Sequence, residues 1–289
     1  MLFELDGDTP VIVQGISGRM GQKHSMLMRS YGTRIVGGTG NAKAGSAQAF
    51  PVFSDCLAAV QATGARTSIA LVPPDSTLAA VHEAVDAGIQ TIVTVAEGVQ
   101  VHDALRIRAL TRAAGVTWIG SSTPGICVPG KTKIGFLPNV SLAPGSLGVM
   151  SKSGTLSYEV GRRMVGRRLG QSIWIGVGGD PVKGARFADL ARGFAAHAAT
   201  EAVVLIGEIG GDEEEEFAET WASLNCPKPV YALIAGAQAK EGVSMGHAGA
   251  LVLGDKGSLA SKQKSLRAAG AQVFDSIETL TLALARAHA

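Results

Sequence analysis

The sequence predicts an α/β protein made of two parallel-sheet domains. Short apolar runs rich in β-branched residues alternate with helical stretches of about ten residues, which is the pattern of repeated β-α-β units. Between residues 124 and 145 this alternation stops, and prolines and glycines accumulate instead. The chain has 289 residues and 38 glycines, a length that suits two domains and a composition that suits many tight turns.

In the first half, the apolar run Val11–Gln14 ends in glycines and is predicted to be a buried strand. Similar runs occupy residues 33–38, 68–74, 91–98 and 117–120. The helices predicted between them cover Gly21–Tyr31, Thr77–Ala87 and Asp103–Ala114. These elements predict a first parallel α/β domain over residues 1–123.

The segment 124–145, with Pro124, Pro129, Pro138 and Pro144, is the predicted junction. A second parallel α/β domain is predicted over residues 146–289. Its strands are expected at residues 146–151, 171–179, 202–211, 229–236 and 271–276, and its helices from Gly154, over Ala188–Ala199 and Glu213–Leu224, near Lys262–Ala269 and at the end of the chain. The two halves share a class but show no obvious internal repeat.

Composition excludes several functions. Hydrophobic residues make up 46% of the chain and aromatic residues only 5%, so a core of small aliphatic side chains is expected. The net charge of +2 predicts no nucleic-acid partner. No apolar stretch approaches the ~20 residues of a membrane span. The opening MLFELDGDTP is not expected to be a signal peptide, because it carries acidic residues and no basic region.

Three widely separated cysteines, Cys56, Cys127 and Cys226, form neither a disulfide framework nor a metal-ligand spacing. They predict a reducing, cytoplasmic location and no metal site in this chain. The one dense charge run, Asp212–Glu216, is interpreted as the solvated first turn of a helix, where acidic residues are stabilising.

A glycine-rich loop, GISGRMG, follows the first predicted strand and leads into a helix. The spacing of Gly15, Gly18 and Gly21 is typical of backbone that approaches a phosphate at a helix N-terminus, although a purely structural turn has the same spacing. A NAD site would need an acidic residue about 20 positions later, and the first charged residue there is Lys43. A cation favours a phosphorylated ribose, as in coenzyme A. NADP also fits this position, but no hydride-transfer chemistry is evident downstream.

A second glycine-containing turn, MSKSGTLSYE, also opens a helix. Ser151 and Ser153 are expected to cap it, and Gly154 and Thr155 to offer backbone donors to an anion. A nucleophilic role for Ser153 is disfavoured because the GxSxG pattern of serine hydrolases is absent.

The segment VSMGHAGAL places His247 among glycines and alanines too small to pack around an imidazole. It follows a predicted strand, where open α/β sheets bind ligands. Another such loop, GEIGG, presents Glu208. A carboxylate that holds one imidazole nitrogen leaves the other free as a nucleophile. The alternatives are a structural histidine and a surface glutamate.

Taken together, the motifs resemble the α subunit of succinyl-CoA synthetase (succinate–CoA ligase) over residues 10–275. The motifs occur in that family's order and are QGISGRMGQKH, AEGVQ, IGSSTPG, MSKSGTLSYE, GVGGDPVKG, IGEIGG and MGHAGA. The resemblance implies a Rossmann-like CoA-binding domain followed by a flavodoxin-like ligase domain. Each motif alone is common, whereas the ordered combination is specific.

The resemblance also implies roles for individual residues. His247 is the residue that is transiently phosphorylated, with Glu208 as its partner. The expected coenzyme A contacts are Ser17, Gly18, Arg19, Met20, Gly21, Lys43, Pro73, Ala96, Glu97 and Gly98. The phosphate-binding helix start is Ser153, Gly154 and Thr155, and the expected substrate contacts are Ser122, Thr123 and Tyr158.

The chemistry that the resemblance implies is reversible acyl and phosphoryl transfer. A carboxylate is activated as an acyl phosphate, the coenzyme A thiol displaces phosphate, and His247 carries the phosphoryl group to a nucleoside diphosphate. A β subunit of the ATP-grasp type is the expected partner and carries ATP/ADP or GTP/GDP and Mg²⁺. Positioning and charge neutralisation, rather than acid–base power, drive such transfers.

The sequence departs from the family pattern near the expected substrate. GSSTPG replaces GPNCPG or GPNTPG, so that Ser121 and Ser122 stand for Pro and Asn, and GGTGNAKAG replaces GGVTPGKGG. Lys183 and Arg186 add positive charge after GGDP, unless both are simply solvated at a helix start. Succinate is the expected acid, and malate, citrate or another short acid is the alternative. A CoA-binding regulatory module without catalysis is the alternative of another class.

Overall fold

A computed structural model of the chain describes residues 2–41, 49–236 and 257–288. The chain divides into two compact units, each with its own parallel sheet. The first unit comprises residues 1–136 with the short segment 182–184, and the second comprises residues 137–181 and 185–289. The division after residue 136 falls inside the proline-rich segment, and the return of residues 182–184 to the first unit has no signal in the sequence pattern.

The sheet of the first unit is entirely parallel. Its strands are β1 (Val11–Gln14), β2 (Ile35–Thr39), β3 (Val52–Phe53), β4 (Thr67–Ala70), β5 (Thr91–Thr94) and β6 (Thr117–Gly120). They lie in the order β3-β2-β1-β4-β5-β6. This is the strand order of dinucleotide-binding folds, which confirms the Rossmann-like prediction.

The helices of the first unit confirm the predicted ones to within two residues at each end. They are α1 (Arg19–Tyr31), α2 (Cys56–Thr63), α3 (Thr77–Asp86) and α4 (Val101–Ala113). Helix α2 escaped prediction because its eight residues, CLAAVQAT, are almost uniformly apolar and small and show no helical period. Asp55 caps it by accepting the Ala58 N–H at 2.7 Å.

The first unit has a core of mostly aliphatic side chains between the sheet and its helices. Ile12 and Ile92 on the strands meet Val81 and Ile107 on the helices, with Trp118 as the largest member, and all are 2% exposed or less. Their burial fixes the strands whose ends carry the candidate site.

The segment between residues 124 and 145 is more ordered than its prolines suggest. It contains an antiparallel hairpin of β7 (Gly125–Val128) and β8 (Thr132–Gly135), followed by a 3₁₀ turn at Asn139–Ser141. Gly125 and Gly135 face each other in this hairpin, and a Cβ on either would collide with the backbone of the opposite strand. These glycines therefore permit the close pairing.

The second unit contains five further parallel strands. They are β9 (Pro144–Ser151), β10 (Gln171–Gly176), β11 (Ala202–Glu208), β12 (Val230–Ala235) and β13 (Gln272–Phe274). Their order is β13-β12-β11-β9-β10, so the first strand of the unit lies between its second and third. This is the flavodoxin-like order, again as predicted.

The helices of the second unit are α5 (Gly154–Gly166), α6 (Phe187–Ala196), α7 (Glu213–Ser223), α8 (Leu259–Ala268) and α9 (Ile277–His288). Close helix–sheet packing depends on glycine at two points: a Cβ on Gly148 would press into the Phe194 ring, and one on Gly161 into the Trp174 ring. Among the described residues, no helix has the length and apolarity needed to cross a membrane.

Each sheet has one topological switch point, where the connections of two neighbouring strands leave in opposite directions. Ligands of open α/β sheets bind in the crevice at this point. In the first unit this point lies between β1 and β4, where Gln14 pairs with Ala70. In the second unit it lies between β9 and β11, where Ser151 pairs with Ile206. The glycine loop follows β1 and Ser153 follows β9, so part of the predicted site lies at these two points.

Candidate functional site

The glycine loop of the first unit joins β1 to α1 by a close approach of backbone to backbone. Gly15 has a positive φ of 82°, and a Cβ there would lie 2.6 Å from the Leu71 carbonyl oxygen. A Cβ on Gly21 would collide with the carbonyl oxygen of Gly15. Two glycines of the predicted motif are therefore required by the fold of the loop itself.

Helix α1 begins directly after this loop, at Arg19. Gly18 is its N-cap, and no side chain caps the first turn. The first turn also carries no acidic residue, so nothing in it competes with an incoming anion. Arg19 and Met20 are exposed beside it, and Met20 is 51% exposed. Unsatisfied N–H groups and the helix dipole make such a start suited to phosphate.

A cavity of 880 Å³ opens at the switch point between β1 and β4. The structure brings four predicted residues to its wall, namely Ser17, Gly18, Arg19 and Pro73. Gly15 of the glycine motif also lines it, together with residues that were not predicted as site residues: Gln14, Thr39, Gly40, Asn41, Leu71, Val72, Ser76, Ala79, Ala80 and Glu83. The wall thus combines the loop after β1, the end of β2 and the connection from β4 to α3.

Gln14 contributes the one fully buried side-chain acceptor atom in this wall that lacks a hydrogen-bond partner among the described residues. It is 1% exposed, and its Nε2 donates to the Ala80 carbonyl at 2.7 Å. Its Oε1 is buried without a hydrogen-bond partner in the described part of the chain. Glu83 fixes the neighbourhood by accepting the Cys56 N–H at 2.9 Å. The only sequence signal for Gln14 was its place at the end of an apolar strand.

Met20, Gly21 and the segment Ala96–Gly98 do not line this cavity. Gly21 is buried under the loop and acts through its shape. Glu97 and Gly98 are exposed beyond β5, whose carboxyl end shares its sheet edge with β4. The predicted residue Lys43 lies outside the described residues.

The predicted substrate residues Ser122 and Thr123 lie in a hydrogen-bonded corner after β6. The Ser122 N–H donates to the Ala96 carbonyl at 2.9 Å, which links this corner to the AEG segment. Thr123 is only 4% exposed, and its hydroxyl accepts the Gly125 N–H at 3.0 Å. The neighbouring Ser121 hydroxyl lies 3.0 Å from the Thr94 hydroxyl. The Ser121 hydroxyl and the Ser122 main chain are therefore held by hydrogen bonds of the fold.

In the second unit, Ser153 caps α5 as predicted. Its hydroxyl accepts the Leu156 N–H at 3.3 Å, and its own N–H donates to the Ser151 hydroxyl at 3.1 Å. The first turn of α5 carries no acidic residue, and Thr155 is exposed there. Tyr158 follows one turn later, half-buried, and burial raises the pKa of its phenol. The helix start presents the donors of an anion site.

Glu208 is the last residue of β11, directly beside the strand that leads to Ser153. It pairs with Ala235 on β12 and is 6% exposed, so it is not the surface acid of the alternative interpretation. The loop that follows is tied to both described flanks of segment 237–256: the Ile209 N–H donates to the Ala235 carbonyl at 3.0 Å, and the Gly210 N–H to the Gly257 carbonyl at 2.8 Å. His247 itself lies outside the described residues.

The acidic run at the start of α7 corrects a prediction. The helix begins where expected, but Glu213, Glu214 and Glu215 are buried rather than solvated. The reason is a pair of buried lysines, Lys152 and Lys262, 4% and 0% exposed, which hold these carboxylates. The sequence showed five consecutive acids but gave no sign of which cations face them.

Lys183 and Arg186 do not fit the alternative interpretation, in which both side chains are solvated at a helix start. Lys183 is 3% exposed, in the segment that returns to the first unit, where the Gly184 N–H donates to the Gly120 carbonyl. Arg186 is held by Asp212 at 2.6 Å and Glu216 at 2.8 Å. Two carboxylates thus neutralise the Arg186 charge locally.

Comparison with known proteins agrees with this geometry. Residues 6–98 match the model of the CoA-binding domain family, and residues 150–272 match that of the CoA-ligase family. The candidate cavity and the Ser153 and Glu208 loops fall inside these two regions. The fold also occurs in an ATP citrate lyase from Methanothrix soehngenii solved with citrate and coenzyme A, at a TM-score of 0.86 and 22% identity; the match covers 99% of this chain and 50% of that one.

Two relatives match nearly the full length. The mitochondrial succinate–CoA ligase [ADP-forming] subunit alpha-2 of Trichomonas vaginalis is 43% identical, over 94% of this chain and 89% of its own. The malate–CoA ligase subunit alpha of Methylorubrum extorquens is 39% identical, over 94% of both chains. On these matches, the chain belongs to the family of succinate–CoA ligase α subunits.

Proposed function

We propose that this chain is the α subunit of a ligase that joins succinate to coenzyme A while a nucleoside triphosphate is converted to the diphosphate and phosphate. The observation that carries the proposal is the uncapped start of α1 opening into the 880 Å³ cavity, within residues that match the CoA-binding domain family. The reaction is reversible, so the chain would also act in synthesis of the triphosphate.

Coenzyme A is proposed to bind at the first switch point. The N–H groups at the start of α1 and the side chain of Arg19 suit its pyrophosphate. Lys43 is proposed to hold the 3′-phosphate, and the exposed segment Ala96–Gly98 the adenine. The buried Oε1 of Gln14 is an acceptor, and the wall around it offers both apolar and polar contacts.

The phosphoryl chemistry is proposed for the second unit. A phosphoryl group passes from the triphosphate to the His247 imidazole and from there to the substrate carboxylate, which gives an acyl phosphate. The coenzyme A thiolate then attacks the acyl carbon, the carbon–oxygen bond to phosphate breaks, and phosphate leaves. Glu208 orients the imidazole, and the start of α5 at Ser153–Thr155 neutralises the transferring group.

A partner subunit is part of the proposal. An ATP-grasp-type β subunit would supply the nucleotide site and its Mg²⁺, in keeping with the relatives, which are named as α subunits. A reducing location such as the cytoplasm is proposed because the cysteines, Cys56, Cys127 and Cys226, are odd in number and far apart in the sequence.

Succinate is the proposed acid, with Ser122, Thr123 and Tyr158 in its neighbourhood. A malate–CoA ligase is the second candidate, because a relative of that name matches 94% of the chain and because Ser121 and Ser122 replace the expected Pro and Asn. Both candidates use the same phosphohistidine chemistry and differ only in the acid.

Consumption of the coenzyme A thiol tests this proposal directly. The chain is co-purified with its cognate partner and incubated with ATP, coenzyme A and succinate, malate, citrate or itaconate in turn. The highest kcat/KM is expected with succinate; a preference for malate would select the second candidate. If the complex binds coenzyme A but consumes no thiol with any of the four acids, the chain is a CoA-binding regulatory module without catalysis. Binding of NADP in place of coenzyme A would overturn the assignment of the cavity.

A further inference from the structure

A single carboxylate in the second unit connects three elements around Glu208. Glu214, on the first turn of α7, is fully buried. One of its oxygens, Oε1, accepts the backbone N–H of Glu208 at 3.1 Å and lies 3.1 Å from the Lys152 Nζ. The other, Oε2, accepts from the Nζ atoms of Lys152 and Lys262. Glu214 therefore holds the last residue of β11 by its main chain.

The two lysines come from the elements that frame the same switch point. Lys152 lies between the end of β9 and Ser153, and its N–H donates to the Ile206 carbonyl at 3.1 Å. Lys262 lies on α8 and also donates to the Gly211 carbonyl at 3.1 Å, at the end of the GEIGG loop. One buried carboxylate thus joins the anion-binding helix start, the Glu208 loop and α8.

The rest of the loop is held by the neighbouring carboxylate. Glu215 Oε1 accepts the Gly257 N–H at 3.2 Å and the Ser261 hydroxyl at 3.0 Å, and its Oε2 lies 3.3 Å from the Lys262 Nζ. Gly207 lets Glu214 come this close, because a Cβ there would collide with the Glu214 carboxylate. Such a network fixes the main chain at Glu208, from which its carboxylate projects.

The charges in the network are coupled. Burial by itself would lower the pKa of Lys152, but the carboxylates of Glu214, Glu213 and Glu208 outweigh it, and the pKa lies above its ordinary value. Burial would raise the pKa of Glu214, but Lys152 and Lys262 hold it below the ordinary value. Lys152 and Glu214 are therefore both charged at neutral pH, and the Glu208 carboxylate contributes to the field at Lys152.

We infer that Glu214, bridged to Lys152 and Lys262, is a positioning residue for phosphoryl transfer, because it fixes Glu208 relative to the start of α5. This inference rests on the proposed function, in which Glu208 orients the phosphorylated histidine. The competing explanation is that Glu214 only stabilises the fold. The two differ in one respect: a positioning residue acts through Glu208, whereas a purely stabilising residue does not.

A double-mutant cycle between Glu214→Gln and Glu208→Gln tests the inference. The single-turnover rate at which [γ-³²P]ATP labels the α subunit is measured in the complex of the full chain with its partner. Glu214→Gln is expected to slow labelling by about 10- to 100-fold. This is the effect typical of groups that do not touch the reacting atoms but orient a residue that does. In the Glu208→Gln background the same substitution is expected to change the rate by less than about threefold.

Glu278→Gln is the matched control. Glu278 is half exposed and pairs with Arg163 and Arg167 on the surface of the same unit. Its substitution removes one carboxylate from an ion pair without touching the network, so it is expected to leave the labelling rate unchanged in both backgrounds. Coenzyme A binding, a property of the first unit, is measured for every variant and is also expected to be unchanged.

Equal slowing by Glu214→Gln in both backgrounds would overturn the inference and leave Glu214 a stabilising residue. If Glu214→Gln does not fold, Lys262→Met takes its place in the same cycle, with the same expected loss of effect in the Glu208→Gln background. A failure of the proposed function gives a different result, because the unsubstituted complex itself would then carry no label. The inference about Glu214 would be overturned together with the proposed function.

Discussion

Gly21 on α1 lies so close to the carbonyl oxygen of Gly15 that a Cβ on Gly21 would overlap that oxygen. Replacement by alanine must therefore push the start of α1 away from the glycine loop. The N–H groups proposed to bind the pyrophosphate would move with it. Gly21→Ala is expected to raise the Kd for coenzyme A at least tenfold in isothermal titration calorimetry.

The control for this substitution is Gly166→Ala, at the end of α5. Nothing lies within 4 Å of the position of its Cβ. Alanine there is expected to leave coenzyme A binding unchanged and to be neutral or stabilising, by up to about 1 kcal/mol. An unchanged Kd in Gly21→Ala would show that the loop is not part of the binding site.

Lys43 is expected to discriminate coenzyme A from dephospho-coenzyme A. Its proposed partner is the 3′-phosphate, and hydrogen bonds to charged groups contribute about 1.5–3 kcal/mol. Lys43→Ala should therefore weaken coenzyme A binding about tenfold or more while leaving dephospho-coenzyme A almost unaffected. If Lys43→Ala weakened the binding of both ligands equally, Lys43 would not contact the 3′-phosphate.

Arg186 is expected to have little influence on the choice of acid. Asp212 and Glu216 already hold its guanidinium at 2.6 and 2.8 Å, so little of its charge is left to attract a dicarboxylate. Arg186→Gln should leave the ratio of kcat/KM for succinate to that for malate within about twofold, since local neutralisation screens the charge. A tenfold change in that ratio would restore Arg186 to a role in specificity.

The cysteines are expected to react unequally with an alkylating reagent. Burial raises the pKa of the Cys127 thiol to about 12, and burial together with Glu83 does the same for Cys56. Thiolate is the reactive form, so neither residue should react at pH 8 in the native protein. Partly exposed Cys226 should be modified first, as peptide mass spectrometry after a short iodoacetamide pulse would report. Early modification of Cys127 would contradict the structure of the hairpin.

Stability should depend on pH through the Glu214 network. The pKa of Glu214 is lower in the folded state, so its contribution is complete above its unfolded pKa of about 4.3 and is lost as the pH falls through the folded value. For Lys152 the folded pKa is raised, and its contribution is lost only as the pH rises above about 10.4. The two together predict a plateau of stability between these limits.

Urea unfolding followed by tryptophan fluorescence checks this expectation. At pH 7, Glu214→Gln should cost about 3–5 kcal/mol, because it leaves buried lysine charge uncompensated. The surface control Glu278→Gln should cost at most about 1 kcal/mol. The deficit of Glu214→Gln should stay constant down to about pH 4.3 and shrink as the pH falls further. A deficit that stays constant down to pH 3 would contradict the charge assignment.

The fold was largely predictable because its signals are local. Strands such as Val11–Gln14 are short apolar runs, and helices such as Thr77–Asp86 carry polar residues at helical spacing. The β7–β8 hairpin was missed because proline and glycine mark a strand border and a linker alike. Strand order is a long-range property, and it came from the family resemblance rather than from periodicity.

The parts of the candidate site that depend on local backbone shape were predictable from the sequence. The parts that depend on tertiary contacts were not. The glycine loop and the Ser153 cap are each determined by a short run of consecutive residues, and both are present in the structure. Gln14 and Glu214 could not be found that way, since their roles depend on partners dozens of residues away, Ala80 for the first and Lys262 for the second. The residue type alone does not show whether a carboxylate is buried or solvated.

Phosphorylation of His247 is the most direct measurement of the central claim. The chain and its cognate partner are incubated with [γ-³²P]ATP, and the label is located by peptide mapping under alkaline conditions that preserve phosphohistidine. The expected result is an acid-labile label on His247 that is discharged by succinate with coenzyme A and is absent from His247→Ala, which still binds coenzyme A. A complex that turns over succinate and coenzyme A without labelling His247, or a His247→Ala variant with substantial ligase activity, would contradict the account.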